Sequence, residues 1–492
     1  MKKNYTSLFT SIIFIIVFNY SNLFSQNSFG TVSSNYSPSN SVSLNPSSMM
    51  NSKTFIDINL FGKGRFVASN LLFIPDENYF NVYSLFKDIK SLDIKKDLYF
   101  DQSVLNKGKD IQLFSREFTA GPAFTCNMGK HAFGLSVNRR SNNGIENVPA
   151  FVGAFMQHGF SGFPRQQGKD YNVNDLRVVS MFFSEIKASY AYSFYQKGKN
   201  LLVGGISVKK FNSISGFAAN VNNMSFNVKN DTLMSISNID VDVLRTDSVK
   251  YSKGGGGFDL GFTYQKTLEN CDSYLPHTPK SSCRYIPYKY KLGISLIDVG
   301  SVKFEQEKIN YNGYNFKDLQ FIGYSNFSSN PDSVVGVFQS QDDLKQGIVT
   351  KTNKILLPTF ISLQFDYNVW GSAFYINTIV VQGVSHSKTT FGVRHANSIS
   401  ITPRFETRLI DFALPVSFYE YQVPQLGLSF RLGPITIGSD KFLNWVMNND
   451  MYGGDIYFYL KAPIIYHPNC REMILKRKGK AGDFKSKINC AF

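Results

Sequence analysis

Residues 258–265 read FDLGFTYQ, in which Phe258, Leu260, Phe262 and Tyr264 are separated by small or polar residues. Successive side chains of a β-strand point to opposite faces, so this stretch predicts a strand with one apolar and one polar face. The same alternation recurs along most of the chain, and beyond the N-terminal region no apolar run has the length of a transmembrane helix. The pattern therefore predicts an all-β protein.

Candidate strands form pairs early in the chain and follow one another closely later on. They cover 54–61 with 65–74, 112–127 with 130–140, 183–195 with 200–212, 255–267 with 285–299, and then 356–369, 371–384, 397–408, 410–421, 424–432, 434–439 and 455–465. A sheet in lipid must close, because an open edge would leave backbone groups without hydrogen bonds. Bacterial single-chain barrels have even strand numbers, so we predict a transmembrane antiparallel β-barrel of about 14 strands. One of about fifteen segments is then misidentified, or two are merged.

Polar or mixed insertions separate some strands, at 75–111, 141–179, 213–254 and 300–355. Barrels usually place long loops outside the cell and tight turns in the periplasm, so we expect these insertions to be long extracellular loops. Pro358, Pro403 and Pro415 lie inside late strands, where each removes one hydrogen bond of the sheet. We expect bulges or gaps at these three positions.

The first 25 residues have the features of a secretion signal. Lys2 and Lys3 precede an apolar run at 12–18, and cleavage before Gln26 leaves Ser25 at the junction. The alternative, an N-terminal anchor helix, needs roughly 20 apolar residues. We therefore assign residues 1–25 to a signal peptide and predict localisation in the outer membrane of a Gram-negative bacterium.

Two segments flank the predicted barrel, which we assign to residues 54–466. Residues 26–53 are rich in serine and asparagine, contain Asn45, Pro46 and Ser47, and form either a linker or a plug-like segment that folds into the barrel. Residues 467–492 form a basic periplasmic tail, with seven basic and two acidic residues from Arg471 onward. Its role is either solvation and contact with the membrane leaflet or docking of a periplasmic partner.

Composition favours contact with lipid over contact with nucleic acid. Aromatic residues make up 15% of the chain, with 45 Phe and 27 Tyr, which suits lipid-facing strands and interfacial girdles. The formal net charge is +16, but the basic residues outside the tail are scattered. We expect outer-membrane lipids as neighbours and no nucleic-acid partner.

If the apolar positions face lipid, the polar positions between them face the lumen. The lumen-facing candidates are Asp259, Lys289, Lys291, Gln364, Asp366, Arg404, Glu406 and Arg431. Opposite charges that face each other across a barrel can pair and stabilise the wall. Alternatively, they can form a selectivity zone for a polar solute.

The five cysteines suggest a few disulfides in an exported chain. Cys271 could pair with Cys283 across a loop, and Cys470 could pair with Cys490 in the tail, whereas Cys126 lies in a strand and is expected to be a buried thiol. The six histidines are spread out, and no spacing fits a metal site. No catalytic motif is present either, so we predict no metal, no cofactor and no enzymatic activity.

Three stretches carry a family resemblance: LGLSFRLGPITIGSD at 426–440, KLGISLIDVG at 291–300 and GGFDLGFTY at 256–264. They resemble a group of uncharacterised Bacteroidota outer-membrane β-barrel proteins, a domain of unknown function. That resemblance implies a location and a fold but no cargo. Asn45, Pro46 and Ser47 are also similar to the Asn-Pro-Ala element in the N-terminal hatch of long-chain fatty-acid channels and type IX secretion barrels, with Ser47 in place of alanine.

Two functions fit these features. One is an outer-membrane channel or binding protein for a hydrophobic or amphipathic small molecule, with the N-terminal segment as its plug. The other is a structural barrel that docks envelope protein partners of a secretion, gliding or other assembly through its loops and tail. A cavity lined by apolar residues beside Asn45 and Pro46 favours the first, and a lumen packed with paired charges favours the second.

Overall fold

The structure is a computed structural model that describes residues 28–70, 72–73, 99–100, 110–152, 167–230, 233–245, 252–281, 285–320, 345–387, 390–421, 424–445 and 453–470. The predicted signal peptide, Cys283, Cys490 and the basic tail from Arg471 lie outside these residues. Within the part of the chain that is described, no helix is long and apolar enough to cross a membrane.

The wall of the molecule is one antiparallel sheet. Its strands are β1 (Ile56–Ser69), β2 (Ile111–Met128), β3 (His131–Val148), β4 (Asp170–Lys197), β5 (Asn200–Val228), β6 (Leu233–Arg245 and Ser252–Thr267), β7 (Tyr288–Gln320), β8 (Lys345–Leu356 and Phe360–Trp370), β9 (Phe374–Gly383), β10 (Ser398–Glu406), β11 (Ile410–Ala413 and Val416–Tyr419), β12 (Pro424–Leu426 and Leu428–Leu432), β13 (Ile435–Ser439) and β14 (Gly453–Ile464). Each strand pairs with its neighbours in sequence, so the connections are simple up-and-down hairpins.

The sheet closes on itself through its first and last strands. Strand β1 pairs antiparallel with β14, from Ile56 opposite Ile464 to Ala68 opposite Gly453. The result is a closed antiparallel barrel of 14 strands, which confirms the predicted fold class. The predicted pair 54–61 and 65–74 is wrong, because the chain continues through Gly62 as the single strand β1. That merger reduces the fifteen candidates to the observed number of strands.

Several predicted loops are largely strand. The described part of the insertion at 213–254 extends β5 to Val228 and includes the first half of β6, and β7 continues to Gln320 inside the insertion at 300–355. These extensions pair with one another, as Ile309 of β7 does with Val243 of β6. The predicted loop boundaries are therefore wrong, because backbone pairing continues where the alternation of side chains becomes irregular.

Two of the three prolines coincide with breaks in a strand. Pro358 lies between the two halves of β8, and Pro415 lies between the two halves of β11. Pro403 stays within β10, and its carbonyl oxygen accepts a hydrogen bond from the Leu414 N–H at 3.1 Å. The missing proline N–H explains why the ladder is interrupted at the first two positions.

The outer face of the wall is apolar and exposed. Its large exposed side chains include Leu135, Val137, Ile186, Phe194, Val208, Phe262, Leu292, Ile294, Leu363, Ile401, Phe430 and Ile437. The positions between them point inward and are buried, as Ser362 is beside Leu363 and Asp366 is beside Phe365. An apolar outside and a polar inside are the arrangement of a barrel in lipid.

The structure shows the state of three of the five cysteines, Cys126, Cys271 and Cys470. Cys271 is a free, buried thiol, so the predicted pair with Cys283 is wrong. The Cys271 thiol donates a hydrogen bond to the Asn200 carbonyl oxygen at 3.3 Å, and burial raises its pKa. Cys126 is free and buried, as predicted. Cys470 is disulfide-bonded, and its predicted partner Cys490 lies outside the described residues.

Candidate functional site

Residues 28–53 run through the interior of the barrel, and we call them the inner segment. They contain two single-turn helices, α1 (Phe29–Val32) and α2 (Pro38–Ser41), and a 3-10 turn at Pro46–Met49. Their polar groups contact strands on different sides of the wall. The Asn35 Nδ2 donates to Glu406 Oε1 at 2.6 Å, the Ser39 hydroxyl to Asp57 Oδ2 at 2.6 Å and the Asn51 Nδ2 to Gln265 Oε1 at 2.8 Å.

The three predicted plug residues form a compact turn against the wall. Asn45 caps the 3-10 turn, because its Oδ1 accepts a hydrogen bond from the Ser47 N–H at 3.0 Å. The Asn45 Nδ2 donates to Gln364 Oε1 at 2.8 Å, and the Ser47 and Thr263 hydroxyls lie 2.6 Å apart. Pro46 fixes the backbone at the start of the turn. These side chains bind the turn to β6 and β8.

Glycines on three adjacent strands leave room for this turn, and we call Gly205, Gly261 and Gly293 the glycine notch. A Cβ at Gly205 of β5 would overlap the Ser47 backbone nitrogen, and one at Gly261 of β6 would overlap Asn45 Oδ1. A Cβ at Gly293 of β7 would lie 3.0 Å from Asn45 Nδ2. The sheet therefore has no side chains where the backbone of the inner segment approaches it most closely.

The far end of the inner segment is fastened by the loop that follows β6. The Tyr274 hydroxyl donates to Asn51 Oδ1 at 2.9 Å, and the His277 Nε2 lies 2.9 Å from the Ser52 carbonyl oxygen. Burial lowers the pKa of His277, which favours a neutral ring whose Nε2–H donates to that carbonyl. The loop thus covers the inner segment where it leaves the barrel to enter β1.

A first charged network joins the inner segment to β8 and β10. Arg404, which is fully buried, donates to Glu406 Oε2 at 3.0 Å, to Asp366 Oδ2 at 3.1 Å and to the Ser33 hydroxyl at 2.6 Å. Lys53 pairs with Glu406 at 2.9 Å. Each charge therefore has a partner, as burial in a barrel requires.

The other lumen candidates fall on both sides of the wall. Lys291 lies 3.7 Å from Asp366, and Arg431 binds Asp411 through two nitrogens at 2.6 and 2.7 Å. Lys289, in contrast, is exposed and does not face the interior. The register between β7 and β6 shifts between Tyr288 and Tyr290, so this bulge turns Tyr288 inward and Lys289 outward.

A second charged network lies on β3 to β7 and includes Asp259. Arg140 pairs with Glu185 at 2.8 Å and donates to Asp298 Oδ1 at 2.9 Å. Lys209 contacts Asp298 and Asp259, each at 2.6 Å. Of these residues, only Asp259 was among the predicted lumen-facing candidates. Alternation within the predicted strands 130–140, 183–195 and 200–212 would have placed Arg140, Glu185 and Lys209 in the interior as well. It would have missed Asp298, because the register shift between Leu296 and Val299 breaks the pattern there.

A cavity of about 150 Å³ separates this second network from the inner segment. One side is charged and is formed by wall residues, among them Arg116, Lys187 and Asp298. The other side includes Val32 and Leu44 of the inner segment. The cavity is therefore amphipathic.

Beside the cavity, the ladder between β1 and β2 is interrupted. Asn59 pairs with Ala123 and Gly62 with Ala120, but no bridge joins the two residues between them on either strand. The Asn59 Nδ2 donates to the Gly121 carbonyl oxygen at 3.3 Å, so a side chain replaces a backbone partner there. Asn59, Ala120 and Ala123 all line the cavity.

An apolar cluster fills another part of the interior. Phe29, Val32 and Leu44 of the inner segment pack with wall residues that include Phe66 and Phe304. The segment between β9 and β10 contributes further buried members of the same cluster, Phe391, Val393 and Ala396. The inner segment is thus held by apolar contacts as well as by hydrogen bonds.

Comparison with known proteins gives one family and several barrels. Residues 46–440 match the model of a family of unknown function, DUF5723. No curated protein matches the chain. A TodX deltaS2S3 mutant monoaromatic hydrocarbon channel is 7% identical, with 85% of this chain and 92% of that chain covered and a TM-score of 0.38. A Pseudomonas aeruginosa FadL homologue is 9% identical, with 91% and 99% covered and a TM-score of 0.36. At these scores the similarity carries no functional argument.

Proposed function

The chain belongs to this family of unknown function, and from its barrel interior we propose that it is an outer-membrane channel for a small amphipathic molecule. The observation that carries the proposal is the cavity between the inner segment and the second charged network. In this proposal the molecule binds there, and residues 28–53 act as a plug that must shift before a larger solute passes.

The attachment of the inner segment supports a movable plug. Its contacts at Asn35 and Ser39 are hydrogen bonds to carboxylates, which contribute about 1.5–3 kcal/mol each, and its contact at Asn45 is a hydrogen bond to an amide oxygen, which contributes about 1 kcal/mol; water can replace each of these bonds. Ligand pockets usually measure about 300–1,000 Å³, so the present cavity of about 150 Å³ is too small for a large cargo. Passage of such a cargo therefore requires movement of the segment.

The interrupted ladder between β1 and β2 supports a lateral exit. An amphipathic molecule in the cavity is next to the one wall position on these strands where two successive bridges are missing. Pro122 lies at this position and has no N–H to donate. The exposed side chains of Leu60 and Phe61 flank the gap on the outer face, so an apolar cargo would meet lipid directly.

A structural barrel is the second candidate, and the paired charges support it. Arg404, Asp366 and Glu406 form a charged network in the wall, and Ser33 and Lys53 connect it to the inner segment. A lumen that stays packed in this way would serve a scaffold that docks envelope proteins through its loops and tail.

Proteoliposome swelling in L-arabinose tests the plug. We expect slow swelling for the mature protein and fast swelling after deletion of residues 27–50. Ser47→Cys with Thr263→Cys, made in a Cys126→Ser, Cys271→Ser background, should form a disulfide because the native hydroxyls are 2.6 Å apart. Oxidation should then lower swelling below that of the reduced protein, whereas the single variant Thr263→Cys should respond to neither condition.

The two functions give opposite results for the deletion. Equal swelling with and without residues 27–50 would contradict the plug and favour the structural barrel. Folding of each variant is checked by its heat-dependent migration in gel electrophoresis.

A further inference from the structure

The apolar outer face of β5 ends at a polar residue on each side. The outward positions between Asn200 and Lys210 carry only apolar side chains or glycine, among them Leu202, Ile206 and Val208. Ten residues of a strand that is tilted in a barrel wall rise by roughly 25 Å, which is the height of the apolar band of such barrels. Asn200 and Lys210 therefore mark the two headgroup levels. Asn200 lies beside a tight turn, at the end of the wall that faces the periplasm in bacterial barrels.

Three lysines lie side by side at the level of Asn200, on the outward face of neighbouring strands. Lys197 of β4 is exposed and lies opposite Asn200, and Asn200 lies opposite Lys266 of β6. Lys266 is opposite Tyr290 of β7, and the bulge before Tyr290 places Lys289 on the same outward face. Neighbouring strands are about 4.8 Å apart, so the three lysines extend over roughly 15 Å. We call Lys197, Lys266 and Lys289 the lysine row.

The lysine row is not neutralised within the protein. None of its three members forms an ion pair with a residue that the structure describes. The Lys266 Nζ donates to Asn200 Oδ1 at 3.0 Å, and the Tyr264 hydroxyl donates to the same oxygen at 2.7 Å. An ammonium group has three donors, so this contact positions Lys266 and leaves two of its donors for a ligand.

Two carboxylates lie near the lysine row but do not balance its charge. Glu269 and Asp272 belong to the loop after β6, and Asp272 Oδ1 accepts a hydrogen bond from the Gly198 N–H at 2.7 Å, in the turn between β4 and β5. Lys199 lies in the same turn and is exposed. With Lys199 there are four lysines against two carboxylates, so this part of the outer face has an excess of positive charge.

Aromatic side chains lie between the lysine row and the apolar band. The rings of Tyr264 and Tyr290 are 6.1 Å apart, and Trp370 at the end of β8 is 73% exposed. Tyrosine and tryptophan are enriched where lipid tails meet headgroups, because each has an apolar ring and a polar tip. The lysine row therefore lies at the depth of the lipid phosphates, and the exposed Phe262 and Leu292 lie at the depth of the acyl chains.

We propose that the lysine row binds the headgroup of a phospholipid with two phosphates, the chemistry of cardiolipin, in the periplasmic leaflet. Lipid phosphates are anionic and accept strong hydrogen bonds from ammonium groups. A row of roughly 15 Å is longer than a single phosphate group, which favours two phosphates joined by a short linker. This lipid lies outside the wall, so the inference goes beyond the proposed function and does not depend on passage through the interior.

Native mass spectrometry of the full mature protein in detergent measures lipid binding. The probes are cardiolipin, phosphatidylglycerol, which has one phosphate and a net negative charge, and phosphatidylethanolamine, which is zwitterionic. We expect cardiolipin to bind about fivefold more tightly than phosphatidylglycerol and at least tenfold more tightly than phosphatidylethanolamine, since each lysine close to anionic lipid contributes about a factor of five.

Lys266→Gln and Lys289→Gln should each weaken cardiolipin binding about fivefold, and the double variant about 25-fold. Lys289→Arg keeps the charge and should bind cardiolipin as tightly as the unmodified protein. Lys210→Gln on the outer face of β5 and Arg408→Gln in the turn before β11 are the matched controls, because each removes an exposed cation away from the lysine row. Heat-dependent electrophoretic migration checks that each variant is folded.

Equal binding of cardiolipin and phosphatidylethanolamine, unchanged binding in the double variant, or an equal loss in Lys210→Gln or Arg408→Gln would overturn the site. Phosphatidylglycerol binding as tight as cardiolipin binding would overturn the assignment of two phosphates. Lipid A also carries two phosphates but belongs to the outer leaflet, so tighter binding of lipid A than of cardiolipin would overturn the placement in the periplasmic leaflet.

Discussion

Three residues without side chains determine how close the inner segment lies to the wall. Gly205, Gly261 and Gly293 occupy adjacent strands, and any larger residue there would meet the turn at Asn45 to Ser47. The hydrogen bonds of Asn45 and Ser47 have their observed lengths only because the backbones approach so closely. The glycine notch is therefore the point at which a single substitution tests the plug.

Gly261→Ala should loosen the turn, since the new Cβ overlaps Asn45 Oδ1. We expect faster swelling of proteoliposomes in L-arabinose than for the unmodified protein, with the barrel still folded. Gly256→Ala on the same strand is the control, because its Cβ would have only the Lys209 carbonyl oxygen nearby, at 3.8 Å. Identical swelling rates for both variants would show that the notch does not hold the segment in place.

At this scale, alternation predicts which side of the wall a residue occupies but not where the alternation slips. Asp366, Arg404 and Glu406 lie in the interior at the positions that the pattern assigned to them. Lys289 does not, because the bulge beside it depends on how β7 pairs with β6 and leaves no local mark in the sequence. Arg140 and Lys209 lie within segments predicted as strands, but only the closed barrel shows that both contact Asp298.

Among the elements, the strands were predictable in number and the loops were not predictable in length. Much of β6, β7 and β8 shows a clear alternation of apolar and polar side chains, because one face of these strands contacts lipid and the other faces the interior. Further along β7, Tyr311 and Asn312 still pair with β6, although the alternation of side chains has become irregular there. A polar strand above the membrane and a polar loop look alike in sequence, so the predicted insertions were too long.

The apolar face of the strands predicts the cost of a charge there. Phe262 of β6 is 55% exposed and Leu363 of β8 is 50% exposed on the outer face. Replacing either with lysine should lower the free energy of unfolding by about 2–4 kcal/mol if the site is near the membrane midplane. Equilibrium refolding into vesicles measures this change.

Leu409→Lys is the matched control for these two variants. Leu409 is also exposed but lies in the turn between β10 and β11, where a lysine should cost about 0–1 kcal/mol. Losses of the same size at all three positions would argue against the proposed lipid-facing side.

For the molecule as a whole, the family and the fold were both accessible from the sequence. Residues 46–440 belong to a family of unknown function, as the resemblance implied, and the barrel is closed as predicted. The Bacteroidota origin stays a prediction. The predicted disulfide between Cys271 and Cys283 was wrong, because the spacing of two cysteines in the sequence does not determine whether their sulfur atoms are close enough to bond.

Deletion of residues 471–492 tests whether the barrel is independent of the basic tail. We expect the shortened protein to fold, because the β1–β14 pairing already ends at Ile464. Heat-dependent electrophoretic migration checks folding, and co-purification from native membranes compares the bound proteins of the two forms. Failed assembly of the shortened chain would show that its C-terminus is part of the insertion signal.

The pairing of β1 with β14, which we call the seam, also has a consequence for assembly. Phe55, the last residue before β1, donates its N–H to the Ile465 carbonyl oxygen at 3.2 Å, so the chain leaves the interior immediately beside the seam. If the barrel closed first, residues 28–53 could enter it only through one of its open ends. We therefore expect the inner segment to enter while the sheet is still open, and the pairing of the two terminal strands then closes the wall around it.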